Sequence, residues 1–179
     1  MSSIKIGERR YRESLGRYLE DFEVGDVYEH RPGRTITEAD STWFTLPTMN
    51  QHPIRFDQEC SKHSEFGRPI VNSTLTMSII TGMSVSDISQ KAIANPDWTD
   101  ITMPAPVFPV TRSMSKRNAE TKILSRRESK SRSTQGVVSV ETSANNQKGE
   151  LVMSFCRTLL VPKRGHGADD LIAAGEKQI

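Results

Sequence analysis

NSTLTMSIITGMSVSDISQKAIANP, residues 72–96, carries the longest helical pattern in the chain. Leu75, Ile79 and Met83 recur at helical spacing, with Ile80 and Ile88 beside them, which is the stripe of a helix that packs against something. Asn72-Ser73-Thr74 supplies capping chemistry at its start. Pro96 closes it, so the pattern predicts a helix from about Ser73 to Ala94. Downstream the period changes to that of strands. Lys122–Leu124, Gly136–Glu141 and Leu151–Phe155 alternate or run apolar over strand lengths. Asn145–Gly149 lies between the last two as a hairpin turn. Upstream, Phe22–Tyr28 reads as a turn feeding a strand that runs through His30, and Pro32-Gly33 marks another turn. Thr37 with Asp40 three residues on reads as the start of a short helix, with Trp43, Phe44 and Leu46 on its apolar side and Pro47 at its end. Trp43 and Phe44 are read as core residues or as the wall of a pocket. An α+β fold follows: antiparallel strands curled round one long helix.

The chain of 179 residues suits one domain. It divides into an N-terminal arm over residues 1–17, a domain over 18–164 and a polar C-terminal tail over 165–179 with a short helix near Asp169–Ala174. The arm is basic, with Tyr11 inside it and Tyr18 just beyond, and reads as a segment that packs its aromatics or as a disordered end. Apolar residues make up 35% of the chain and the mean hydropathy is −0.53. So thin a core favours burial against a second subunit. Lys and Arg total 24 against 22 acids, a net charge of +2, which argues against a nucleic-acid binder. No apolar run reaches the ~18 residues of a membrane span, and residues 1–12 lack the apolar centre of a signal peptide. Cys60 and Cys156 stand far apart with no CxxC spacing, so neither a disulfide framework nor a zinc site is expected. These features predict a soluble cytoplasmic protein.

Several stretches together resemble a known family. They are Gly25-Asp26, Arg34–Asp40, Asn50-x-His52-Pro53-Ile54-x-Phe56-Asp57 and Phe66–Ser73. In this they are similar to the MaoC-like dehydratases, hot-dog-fold proteins that include the R-specific enoyl-CoA hydratases. Val85–Asn95, Arg127–Arg132, Asn146-Gln147 and Arg157–Val161 bring the likeness closer to the branch of mesaconyl-CoA and itaconyl-CoA hydratase-like proteins. The resemblance covers roughly residues 18–164. It implies a hot-dog fold, a homodimer or higher homo-oligomer, an acyl-CoA substrate, and no metal or redox cofactor, coenzyme A being part of the substrate.

Hydrating an α,β-unsaturated thioester needs an activated water near C3, a proton for C2, and donors at the thioester oxygen where enolate charge grows. In the family an Asp and a His five positions apart hold the water. Carried onto this chain through Pro53, the Asp falls on Asn50 and the His on Arg55. An amide orients water but takes no proton. A guanidinium stays protonated at any working pH and so is no general base. Arg55 is left to polarise a carbonyl, to grip the carboxylate of a dicarboxylic substrate, or simply to pair with Asp57 or Glu59. His52 is the nearest neutral base in sequence, or an ordinary loop histidine. The resemblance assigns the thioester oxygen to amides at Asn72, Ser73 and Thr74, helped by the helix dipole; these same residues also serve as plain caps.

Between Phe108 and Glu120 the family's Gly-Asp-Thr turn is missing, and a stretch centred on 109–118 is a few residues longer. From Arg112 to Arg132 eight Lys or Arg stand against two acids, Glu120 and Glu128. This is a solvated strand face or a site for coenzyme A phosphates through Arg126, Arg127, Lys130 or Arg132; without aromatics it does not suit nucleic-acid bases. The expected function is hydration or dehydration of a short methyl-branched or dicarboxylic enoyl-CoA. The alternative is a catalytically impaired hot-dog domain that binds acyl-CoA or pairs with an active paralogue. A hot-dog thioesterase ranks last, because Asp87 is the only carboxylate on the long helix and sits late on it.

Overall fold

A computed structural model describes residues 2–109 and 119–175. The apolar stripe of residues 73–84 becomes helix α3 in the numbering of four helices: α1 (Glu38–Thr45), α2 (Gln58–Lys62), α3 (Ser73–Ser84) and α4 (Ala168–Gly175). Seven strands accompany them: β1 (Ser2–Lys5), β2 (Tyr11–Ser14), β3 (Val27–His30), β4 (Ala94–Thr102), β5 (Ala119–Glu128), β6 (Gln135–Asn145) and β7 (Leu151–Pro162). The last five form one antiparallel sheet in the order β3-β5-β6-β7-β4. It wraps α3, the hot-dog arrangement that the sequence predicts.

Alternation drives the wrapping. On β6 Val138, Val140, Thr142 and Ala144 are buried, and on β7 Met153, Phe155, Arg157, Leu159 and Val161 are buried, so one face of each strand looks at the helix. Ile80 of α3 packs with Ala119, Ala144, Val152, Met153 and Phe155, while Leu75 and Ile79 close on Ile36 and Val71. Each such side chain contributes about 1.5–3 kcal/mol on full burial. Ile88 continues the stripe into a third cluster with Phe22, Ile123 and Leu159.

The helix stops earlier than its pattern suggests. After Ser84 the chain widens into a single π turn over Val85–Ser89, and from Ala94 it is a strand. Ile93 N–H donates to the Leu160 carbonyl at 2.7 Å, starting the pairing of β4 with β7. Pro96 therefore lies inside an edge strand instead of closing a helix, at a register shift between Ala94 and Asp97. A proline lacking its N–H is tolerated there because an edge has one unpaired side.

The ends follow expectation in part, with the short C-terminal helix present as α4. Residues 2–14 form the β1–β2 hairpin, with Tyr11 66% exposed, so this aromatic does not pack. Tyr18 does: it is buried and its hydroxyl donates to Asp170 at 2.9 Å, an arrangement that with burial pushes its pKa up to about 12. Lys91 pairs with Asp169 at 2.9 Å. The tail is thus clamped on the domain through α4. Thr37 and Asp40 make the expected capping box of α1, and the Asn146–Gly149 turn closes with Gly149 at φ +84°. Of the long 109–118 stretch all but Pro109 lies outside the described residues. Among the described residues no helix is long and apolar enough to cross a membrane.

A polar seam crosses the interface between sheet and helix. His30 Nε2 and Thr121 Oγ1 lie 2.7 Å apart, and Thr121 and Thr142 hydroxyls 3.0 Å apart. Burial, and secondarily the Arg157 charge, hold the His30 pKa below its ordinary 6.5, with Asp87 opposing. The unfolded chain thus takes up a proton that the folded one resists. Stability is full above pH 6.5 and falls as pH drops below it, by up to ~1.4 kcal/mol per pH unit, until the depressed folded pKa is passed. Urea midpoints between pH 7.5 and 5.5 are expected to fall more steeply for the parent than for His30→Gln; equal slopes would remove His30 as the cause.

Candidate active site

The loop leading from α1 to α3 is held by its own side chains. Asn50 N–H donates to the Thr45 carbonyl, and Asn50 Oδ1 accepts the His52 N–H at 3.1 Å, a local turn of the kind Asn favours. His52 is exposed and its Nδ1 accepts the Ile54 N–H at 3.4 Å, which caps the short turn Pro53–Arg55. Asp57 caps α2 by accepting the N–H groups of Glu59 and Cys60, and Glu59 pairs with Lys62. Both acids near Arg55 in sequence are therefore engaged elsewhere.

Arg55 turns inward instead. Its Nη1 donates to the Val71 carbonyl at 2.6 Å, while its Nε is buried without a hydrogen-bond partner among the described residues. Burial alone lowers its pKa, yet a guanidinium remains a cation at neutral pH. It stands in a cavity of about 420 Å³ most of whose other lining side chains are apolar, among them Phe66, Ile70, Met103, Val107 and Met153. Ser73 and Thr76, one helical turn apart, add the polar atoms.

The start of α3 divides its donors. Asn72, 5% exposed, accepts both the N–H and the hydroxyl of Thr74, at 3.0 and 2.7 Å. Thr74 is thus committed to the cap. Ser73 is the first helical residue, and its N–H has no acceptor within the helix. It lies at the positive end of the dipole and on the cavity wall, where an oxygen gaining negative charge is stabilised.

Of the expected residues, Arg55 and Ser73 meet at one cavity. Asn72 stands behind Ser73 as its cap; Asn50 and His52 sit on the adjoining loop; Trp43 is 71% exposed and lines neither wall. Arg127 and Lys130 lie elsewhere, on a separate groove with Ser129 and Gln135. Ala119 packs with the Val152 and Met153 of the cavity wall, and Arg127 is eight residues further along β5, up to roughly 26 Å away at strand rise. The neighbouring Arg126 is tied to the Phe22 carbonyl at 3.0 Å.

Sequence reasoning missed Thr76 and the wall Met103–Val107. Thr76 was within reach, three residues after Ser73 on the same helix face. The wall carries Pro104 and Pro106, which mark extended chain, but not what that chain faces. Val71 N–H donates to the Val107 carbonyl at 2.8 Å and pins the wall to the helix start.

The chain as a whole has counterparts among known proteins. A family model described as mesaconyl-CoA hydratase matches residues 4–178. The chain belongs to the mesaconyl-CoA hydratase family. It is 28% identical over 155 residues to a mesaconyl-CoA hydratase of Cereibacter sphaeroides, covering 87% of this chain and 44% of that one. It is 30% identical over 153 residues to a beta-methylmalyl-CoA dehydratase of Chloroflexus aurantiacus, covering 86% and 42%. Among solved structures, the MaoC-like dehydratase of Rhodospirillum rubrum superposes with a TM-score of 0.70 at 25% identity, over 83% of this chain and 99% of that one. The chain spans less than half the length of the curated relatives it matches.

Proposed function

We propose that the chain hydrates, or reversibly dehydrates, a short methyl-branched enoyl-CoA that carries a second carboxylate, of the mesaconyl- or itaconyl-CoA type. The observation that supports this best is Arg55: a guanidinium with no carboxylate partner among the described residues, in a mostly apolar cavity that it shares with Ser73. A dicarboxylic acyl thioester supplies what each lacks. Its carboxylate meets the guanidinium, and its thioester oxygen meets Ser73 N–H, where enolate charge develops. Asn50 orients the water. His52 is the neutral base of the loop, and the bond that occupies its Nδ1 is long at 3.4 Å. Coenzyme A enters only as part of the substrate. The relatives named hydratase and dehydratase support the reaction class. In this reading the chain works as a homodimer, its open edge strands β3 and β4 being natural pairing surfaces and the relatives having room for two such units.

One observation favours a second reading, an acyl-CoA-binding hot-dog domain that is catalytically impaired or pairs with an active paralogue. Among the described residues, no carboxylate or imidazole lines the cavity with Arg55 and Ser73. One assay separates the two. The protein is incubated with mesaconyl-, itaconyl- and crotonyl-CoA while loss of enoyl absorbance is followed, beside an Arg55→His variant. Turnover by the parent is expected, with a carboxylate-bearing substrate preferred. A silent parent and a turning-over Arg55→His variant would sink the catalytic reading.

A further inference from the structure

A separate cavity of about 540 Å³ opens at the far end of α3. It shares no lining residue with the cavity of Arg55 and Ser73. Met83 on its wall stands roughly 15 Å of helix rise beyond Ser73. Three segments build it: the chain leaving β2, the end of β3, and the π turn after α3. The first is seated on the last. Gly16 N–H donates to the Ser86 carbonyl at 2.8 Å, and at φ +70° Gly16 has no room for a Cβ, which would lie 2.7 Å from the Lys91 backbone nitrogen. Single π turns recur at functional sites, and this one supplies Ser86 and Asp87 to the lining.

Four ions line the cavity, and each is only partly used. Arg17 donates through Nη2 to Asp87 Oδ1 at 2.8 Å, its guanidinium stacked 4.1 Å from the Tyr28 ring centroid. Arg31 donates through Nη2 to Glu29 Oε2 at 2.9 Å. Among the described residues each pair is a single bond and not the two-bond fork that a guanidinium and a carboxylate can form. Asp87 Oδ2 and Glu29 Oε1 are thus left over, as are further N–H groups on both arginines. His30, 4% exposed, lines the same space. Its Nε2 is taken by Thr121, while its other ring nitrogen has no hydrogen-bond partner among the described residues, although a neutral imidazole has both a donor and an acceptor to satisfy.

We infer that this cavity binds a small zwitterion, an α-amino acid with a polar side chain. Two cations and two anions line it, so the balance of charge favours neither a net anion nor a net cation. An amino acid meets both halves at once. Its carboxylate takes the spare guanidinium N–H groups, and its ammonium takes the spare carboxylate oxygens. A polar side chain then has the free His30 nitrogen and the hydroxyls of Ser14 and Ser86 to meet, against only Leu15 and Met83 as apolar side chains.

Direct titration tests this without relying on turnover. The full chain is titrated calorimetrically with L-serine, L-asparagine and L-glutamine, and saturable binding of at least one is expected. The N-acetyl and α-amide forms of that amino acid each lack one charge and are expected to bind at least about tenfold more weakly. Arg31→Gln and Glu29→Gln lie on the exposed rim and leave the seat of Gly16 intact. Each is expected to weaken binding by about threefold or more with an unchanged urea midpoint. Arg127→Ala, on the separate groove, is expected to leave binding as it was. Absence of saturable heat with all three amino acids overturns the inference. So does equal affinity for the charge-blocked forms, or binding indifferent to both rim variants.

Discussion

Arg55→Met is expected to lower kcat/KM for mesaconyl-CoA by about 100-fold and for crotonyl-CoA by less than about threefold, because a hydrogen-bonded charge pair contributes about 1.5–3 kcal/mol and only the first substrate has a free carboxylate. Methionine keeps the length and fills the apolar wall, so the cavity does not collapse. The fold is expected to gain or hold stability, since the variant removes a half-buried cation whose Nε is unpartnered and for which burial costs free energy. Arg55→Lys separates charge from geometry: an ammonium cannot donate at once to the Val71 carbonyl and, in a planar fork, to a carboxylate, so recovery is expected to be partial. Steady-state kinetics on both substrates decide the matter. A loss of equal size for both would place Arg55 at the reacting atoms and not at the carboxylate.

The sequence made the scaffold legible because the scaffold rests on local periodicity. The stripe Leu75, Ile79 and Ile80, the Thr37–Asp40 box and the Asn146–Gly149 turn are each written within a few residues. Residues 85–102 were not, because two local signals agreed on the wrong element. Ile88 continues the helical stripe and Pro96 looks like its stop, whereas the π turn at Val85–Ser89 and the edge strand β4 are imposed by pairing with β7, some sixty residues on. The site was half legible for the same reason. Arg55 and Ser73 were found through motif order, but their meeting in one cavity depends on Arg55 reaching the Val71 carbonyl and on Ile70 N–H reaching the Ile54 carbonyl. The basic stretch shows the limit most clearly: charge density along the chain singles out Arg127 and Lys130, while the folded sheet sets them on a groove that shares no lining residue with the cavity.

Replacing the most deeply buried cation is expected to stabilise the protein. Arg157 on β7 is 2% exposed. Its Nη2 donates to the Ser84 hydroxyl at 2.6 Å, its Nε and Nη1 are without partners among the described residues, and its guanidinium lies 5.8 Å from the Trp98 ring. Burial pushes its pKa down to about 10 from 12.5. For a base with a depressed folded pKa, both states are charged below that value, so the cost of burying the charge is fully present at neutral pH and is relieved only as pH rises from about 10. That cost is about 3 kcal/mol. Arg157→Met forgoes the Ser84 bond and the ring contact, about 1–2 kcal/mol together, and the net gain expected is about 1–2 kcal/mol by urea unfolding. Ser84→Ala moves the other way. It takes the hydrogen-bond acceptor from the buried cation and is expected to cost about 2–4 kcal/mol in the parent. In the Arg157→Met background the same change is expected to cost less than about 1 kcal/mol, since the Ser84 hydroxyl then serves only the Thr81 carbonyl at 2.7 Å. A cycle in which the two substitutions simply add would mean that Arg157 is satisfied by groups other than Ser84.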